Sequence, residues 1–91
     1  MKTNIQSIHF DASEQLQAFI EKKTAKLERF FDEIDTVEVT LKVVKPETAM
    51  NKQADVKVVV KNDNLFASKI CDTFEESIDQ CIDALRIQLE K

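Results

Sequence analysis

Thr36-Val37-Glu38-Val39-Thr40-Leu41-Lys42-Val43 and Ala54-Asp55-Val56-Lys57-Val58-Val59-Val60 are the two stretches whose reading decides the fold. Val37, Val39, Leu41 and Val43 share one side of the first, with Glu38, Thr40 and Lys42 on the other; Ala54, Val56, Val58 and Val60 alternate with Asp55, Lys57 and Val59 in the second. Successive side chains of a strand point to opposite faces, so each stretch is a strand with one apolar face that another layer must cover. The first strand is expected from Thr36 to Lys45, and residues 45–53, which hold the lone proline Pro46, form the loop to the second. Asn62-Asp63-Asn64 then supplies a tight turn from residues that tolerate left-handed backbone, and a further strand follows from Leu65 to Ile70.

The cover for those faces comes from the flanking segments. From Ser13 to about Ile34, apolar residues recur at Leu16, Phe19, Ile20, Leu27, Phe30, Phe31 and Ile34, the spacing of an amphipathic helix, with Asp11 or Ser13 placed to cap it. Thr73-Phe74-Glu75-Glu76 reads as a capping box opening a second helix, whose stripe is Phe74, Ile78, Cys81, Ile82, Leu85 and Leu89. Thr3 to Phe10, rich in Thr, Ile and Phe, is a fourth strand preceding the first helix. The order is β-α-β-β-β-α, an α+β domain in which both helices pack on one face of a four-stranded sheet. No repeat, low-complexity stretch or linker divides the 91 residues, so residues 1–91 are expected to form a single domain.

Composition narrows the function. Hydrophobic residues at 43% and charged residues at 33% are in the range of a soluble globular protein, and Val58-Val59-Val60 is far too short an aliphatic run to span a bilayer. Met1-Lys2-Thr3-Asn4-Ile5-Gln6 has neither the apolar segment nor the cleavage site of a secretory signal, so a cytoplasmic location is expected. The chain has no glycine, which argues against phosphate-cradling Gly-rich loops and dinucleotide fingerprints. Cys71 and Cys81 are too few for a zinc site and are expected as thiols, Cys71 as a loop residue at a helix N-terminus and Cys81 as part of an apolar stripe.

Candidates for catalysis are weak. His9 is the only histidine and is read as structural, and Asp79 and Asp83, one helical turn apart, are read as a solvated acidic face and not as cation ligands. No nucleophile, base and stabiliser assemble in the sequence, so the chain is read as a binding protein, not an enzyme, with no cofactor and no metal.

The charges of the first helix carry more information. At 100° per residue, Lys22, Lys26 and Arg29 fall along one flank of the apolar stripe, while Glu14, Glu21, Glu28 and Asp32 gather elsewhere. A strip of one sign is what a phosphate backbone selects, whereas solubilising helices interleave opposite charges. Lys23 falls within the apolar face, between Phe19, Ile20 and Leu27, where its stem covers core while the ammonium reaches an edge. Net charge is −4, so any RNA site must be local, and screening over roughly 8–10 Å at cellular salt lets local charge count above net charge.

The pattern resembles the ribosome hibernation-promoting factors, also called ribosome-associated inhibitor or protein Y. The likeness is carried by Asn4-Ile5, by Ala25-Lys26-Leu27-Glu28 followed by Phe30-Phe31-Asp32, and by Val37, Val39, Leu41-Lys42-Val43 and Lys45. It continues through Ala67-Ser68, Ile78-Asp79, Ile82-Asp83, Leu85 and Gln88-Leu89, and so covers nearly the whole chain. The resemblance implies a domain similar to the double-stranded-RNA-binding fold that occupies the decoding cleft of the small ribosomal subunit and blocks translation under stress or in stationary phase. It implies ribosomal RNA contacts at Lys23, Lys26, Lys42, Lys45 and Lys91; helix geometry adds Lys22 and Arg29, and Arg86 is included as the cation of the second helix. The chain resembles the short form, without the C-terminal extension that pairs ribosomes in longer members. It departs from the family pattern with Glu75 in place of an aromatic residue, Ile87 in place of a basic one, and Asn62-Asp63-Asn64 in place of a turn with glycines. The second helix is therefore acidic, with Asp72, Glu75, Glu76, Asp79 and Asp83, and a second reading stays open: an acidic homologue of the same fold that binds a protein partner.

Overall fold

A computed structural model of the chain describes residues 2–8, 11–30, 33–44, 51–61 and 63–89, with the backbone alone for Phe30 and Leu89. His9, Phe31, Asp32, Lys45, Pro46, Asn62 and Lys91 lie outside the described residues. The elements are β1 (Lys2–Ile8), α1 (Glu14–Phe30), β2 (Ile34–Val43), β3 (Lys52–Val60), β4 (Asp63–Cys71) and α2 (Phe74–Leu89), the expected β-α-β-β-β-α. One sheet runs in the order β1-β2-β3-β4, with β1 parallel to β2 and the remaining pairs antiparallel.

Boundaries differ from the sequence reading where strand pairing overrides the local pattern. Ile34, expected as the last apolar residue of the helix, opens β2 and is buried there; its spacing to Phe30 fits a helix and it is out of phase with Val37 and Val39, but a register shift between Ile34 and Thr36 turns it to the apolar face. Asp63 and Asn64, expected in the turn, begin β4, pairing with Val60 and Val59. Cys71, expected in a loop, is the last residue of β4 and is buried opposite Lys52.

Both caps form. The Leu16 amide donates to Ser13 Oγ at 3.1 Å, fixing Ser13 and not Asp11 as the cap of α1, and the Glu76 amide donates to Thr73 Oγ1 at 3.2 Å at the start of α2. The core lies between the sheet and the helices. Val37, Val39 and Leu41 of β2 and Ala54, Val56 and Val58 of β3 meet Ile20 and Leu27 of α1 and Ile78, Cys81 and Leu85 of α2, all fully buried or nearly so. Small residues at Ala54, Ala67 and Cys81 let α2 sit low on β3 and β4, close enough for the Cys81 thiol to donate to the Ala54 carbonyl at 3.3 Å. Ser77, also buried, donates to the Lys52 carbonyl at 2.6 Å and pins the first turn of α2 to the start of β3. Thr24 completes the buried stripe of α1, its hydroxyl turned back to the Glu21 carbonyl at 3.1 Å.

Truncating Leu85 to alanine, at a site walled by both helices and the sheet, is expected to cost about 2–5 kcal/mol in urea unfolding. Burial pushes the Cys81 thiol up to about 12, so native protein at pH 8 should react with a thiol reagent at Cys81 only through opening of the fold. Because the folded thiol holds its proton more tightly than the unfolded one, stability should be unaffected by this group below its ordinary value of 9.0 and should fall as pH rises from there towards about 12. Rapid labelling of Cys81 at pH 8 without denaturant would contradict both statements.

Candidate nucleic-acid interface

Since both helices lie on one face of the sheet, the molecule presents two unlike surfaces. The open face carries Asn4 and Gln6 of β1, Glu38, Thr40 and Lys42 of β2, Lys57 and Asp55 of β3, and Phe66, Ser68 and Ile70 of β4, as the register and strand alternation require. Gln53 and Ser68 both donate to the Asp55 carboxylate there. Phe66 is 57% exposed and Ile70 44%, so the β4 side of this face is apolar. A shallow depression at its β1 side is lined by Asn4, Gln6, Glu38 and Thr40 and includes none of the candidate cations.

The other surface is made by α1 and α2, which pack side by side, α2 over β3 and β4 and α1 towards β1. Lys22, Lys26 and Arg29 are exposed on α1, and their successive spacings of four and three residues keep them on one flank. That flank is the one turned to α2, because Lys23 beside it reaches across. The Lys23 ammonium lies 2.8 Å from Asp79 Oδ1 of α2 and 5.4 Å from the centre of the Phe19 ring. The side chain of Lys23 is only 22% exposed, so its stem lies on the apolar stripe and its charge emerges in the groove between the helices, as its position within the stripe predicts. Its pKa is raised above the ordinary lysine value, first by the hydrogen bond to Asp79 and against the opposing effect of desolvation, with the charges of Asp79 and Asp83 adding to the rise.

Asp79 and Asp83 are exposed, as expected of an acidic face, yet Asp79 is also a partner for a candidate RNA-binding lysine, which the sequence reading did not foresee. The signal was available in part: on α2, Asp79 sits about 100° from Ile78 on the border of the apolar stripe, the mirror of the border position of Lys26 on α1. Which two borders face each other depends on tertiary packing. Arg86, seven residues beyond Asp79, lies on the same flank of α2 and is exposed.

Lys42 stands apart from these residues. It lies on the open face of β2, paired across to Gln53 and beside Ile8, near the end of β2 remote from the last turn of α1. The structure thus brings Lys22, Lys23, Lys26 and Arg29 together on the helical surface with Arg86 on the neighbouring helix, and leaves Lys42 on the reverse of the sheet. Among the described residues no group of three or more His, Cys, Asp or Glu is placed to hold a metal ion, and no helix is long and apolar enough to cross a membrane.

Comparison with known proteins identifies the family. The chain is similar to the ribosome hibernation promoting factor of Escherichia coli strain K12, with 35% identity over 91 residues, covering all of this chain and 92% of that one. A ribosome hibernation promoting factor of Klebsiella oxytoca is 33% identical over the same span. Among solved structures, a ribosomal subunit interface protein from Coxiella burnetii superimposes with a TM-score of 0.88 at 22% identity, over 99% of this chain and 94% of that one. The N-terminal domain of Thermus thermophilus Protein Y does so with a TM-score of 0.80 at 18% identity, over 94% of this chain and 91% of that one, and both likenesses support the fold. Residues 3–91 match the family described as Sigma 54 modulation protein / S30EA ribosomal protein, and with full-length relatives above 30% identity the chain belongs to that family.

Proposed function

We propose that this protein is a cytoplasmic, ribosome-associated translation inhibitor that lays the cationic flank of α1 on ribosomal RNA of the small subunit. It occupies the decoding cleft when cells are stressed or stationary. The reading draws support from the full-length relatives named ribosome hibernation promoting factor and, within this chain, from one observation above all. Lys22, Lys26 and Arg29 are exposed on one flank, with Lys23 emerging beside them, although the molecule as a whole carries −4. Exposed charges act over roughly 8–10 Å at cellular salt, so phosphates that meet this flank feel its local positive charge more than the acids on the far side of α1.

The action is steric. Lysine and arginine neutralise phosphates and fix position, recognition is of RNA shape, and no bond is made or broken. Arg86 extends the strip onto α2. Lys42, on the reverse of the sheet, joins the contact only where RNA also passes the end of the sheet, and Lys45 and Lys91 complete the set that the family resemblance implies. The exposed Phe66 and Ile70 favour a second reading, in which the open sheet face binds a protein partner.

Co-sedimentation with purified ribosomes and separated subunits across a salt series tests the first reading. Wild type is expected to pellet with small subunits at low salt. With about four phosphate contacts its affinity should fall roughly a hundredfold between 50 and 200 mM salt, and Lys23→Glu/Lys26→Glu should remain in the supernatant. Equal pelleting of both proteins would remove α1 from the interface, and failure of wild type to pellet at any salt would leave the protein-partner reading in its place.

A further inference from the structure

We propose that Asp79 acts as a built-in competitor for RNA phosphate, holding the Lys23 ammonium in the free protein so that nucleic acid must displace a carboxylate to engage it. The proposal rests on the ribosome-binding reading and concerns the regulation of the same site.

Lys23 is the cation of α1 nearest the groove, and its partner is fixed by geometry: an ammonium-to-carboxylate distance of 2.8 Å, with Phe19 on one side and a stem that is mostly buried. Asp79 is 53% exposed, so RNA approaching the groove meets its charge directly. Asp83, one turn further along α2, acts on Lys23 in the same direction, so that the lysine faces a pair of acids. A carboxylate offers the oxygen acceptors that a phosphate offers, at the same charge-assisted hydrogen-bond distance. The exchange is close to balanced. When Lys23 turns to a phosphate, a counterion leaves the RNA, but Asp79 is uncovered beside the RNA and gathers a counterion of its own. In the wild type, Lys23 therefore adds little to the salt dependence of binding although it touches the ligand.

This arrangement changes what the acidic second helix does. Its acids do not merely lower the net charge; one of them tunes a specific cation. It weakens docking and makes it easily reversed, while Lys22, Lys26 and Arg29 continue to supply attraction.

The experiment is ribosome and small-subunit co-sedimentation at salt concentrations from low to moderate, with wild type, Asp79→Asn, Asp79→Glu and Glu75→Gln. Asp79→Asn removes the competitor without changing side-chain size. It should bind roughly 1.4- to 5-fold more tightly at low salt, the range expected for releasing an exposed ion pair. Its plot of log affinity against log salt should be steeper by about 0.9, because Lys23 now releases a counterion without an opposing uptake. Asp79→Glu keeps the charge and should keep the wild-type slope. Glu75→Gln removes one charge from the same helix without freeing Lys23 and should leave the slope unchanged. In an NMR titration the Lys23 pKa should fall in Asp79→Asn, which reports the loss of the pair independently of binding and also requires the variant to be folded.

Binding by wild type with an unmoved slope, or weaker binding, in Asp79→Asn would overturn this proposal alone, since Asp79 would then be orienting Lys23 for RNA. An equal change in slope in Glu75→Gln would overturn it as well, assigning the effect to net charge. Absence of pelleting by wild type and every variant would remove the ribosome reading and the competitor role together.

Discussion

The structure depends on a sheet that is apolar on one face only. Val37, Val39 and Leu41 stand beside Ala54, Val56 and Val58, while Glu38, Thr40, Asp55 and Lys57 occupy the reverse, and a one-residue slip between β2 and β3 would bury those charges. The hydrophobic effect therefore brings both helices to the same side, where Ile20, Leu27, Ile78 and Leu85 complete the burial. Two helices sharing one face must lie next to each other. Their flanks, and not their outer faces alone, then decide what the surface presents, because the residues bordering each apolar stripe meet across the groove.

Much of this could be read in the sequence because strand and helix periods differ. The alternation of β2 and β3 admits one assignment, the hydroxyls of Ser13 and Thr73 accept the Leu16 and Glu76 amides and so start the helices, and the order of elements leaves one face for both helices. The reading fails where long-range pairing overrides a local pattern. Ile34 fits the stripe of α1 and by period two is out of phase with Val37 and Val39; the register shift between Ile34 and Thr36 and the pairing with Val60, a long-range contact that no local window contains, turn it to the apolar face of β2. Cys71 and the Asp63-Asn64 pair were misplaced for a similar reason: β3 extends β4 at both ends by offering partners as far as Lys52 and Val60.

The candidate site was legible in its composition and not in its neighbours. Helix periodicity is enough to sort Lys22, Lys26 and Arg29 onto one flank and to put Lys23 inside the stripe. Lys42 reads as another basic residue in sequence, yet strand alternation assigns it to the face of Glu38 and Thr40, opposite the helices. Asp79 is the converse case. It belongs to a run of acids that looks like a solvated face, and only the side-by-side packing of α1 and α2 makes it a partner of Lys23.

The apolar setting of Lys23 and its pairing with Asp79 are two aspects of one constraint. An ammonium whose stem lies on core cannot sweep the solvent as Lys22 can; its charge must emerge where the stripe meets open water, and in this fold that place is the groove walled by α2. Whatever α2 carries at that height sets the electrostatic surroundings of Lys23. A neutral residue would leave a cation fixed in position and exposed to any phosphate, with little rotamer entropy left to lose on binding. A carboxylate at 2.8 Å keeps the same fixed position but lowers the free energy of the unbound state, so that part of the attraction for RNA is already satisfied within the protein. An acidic molecule can in this way retain a local site for a polyanion and still hold it weakly, through the identity of one residue on the second helix and without any change to the fold that positions the first.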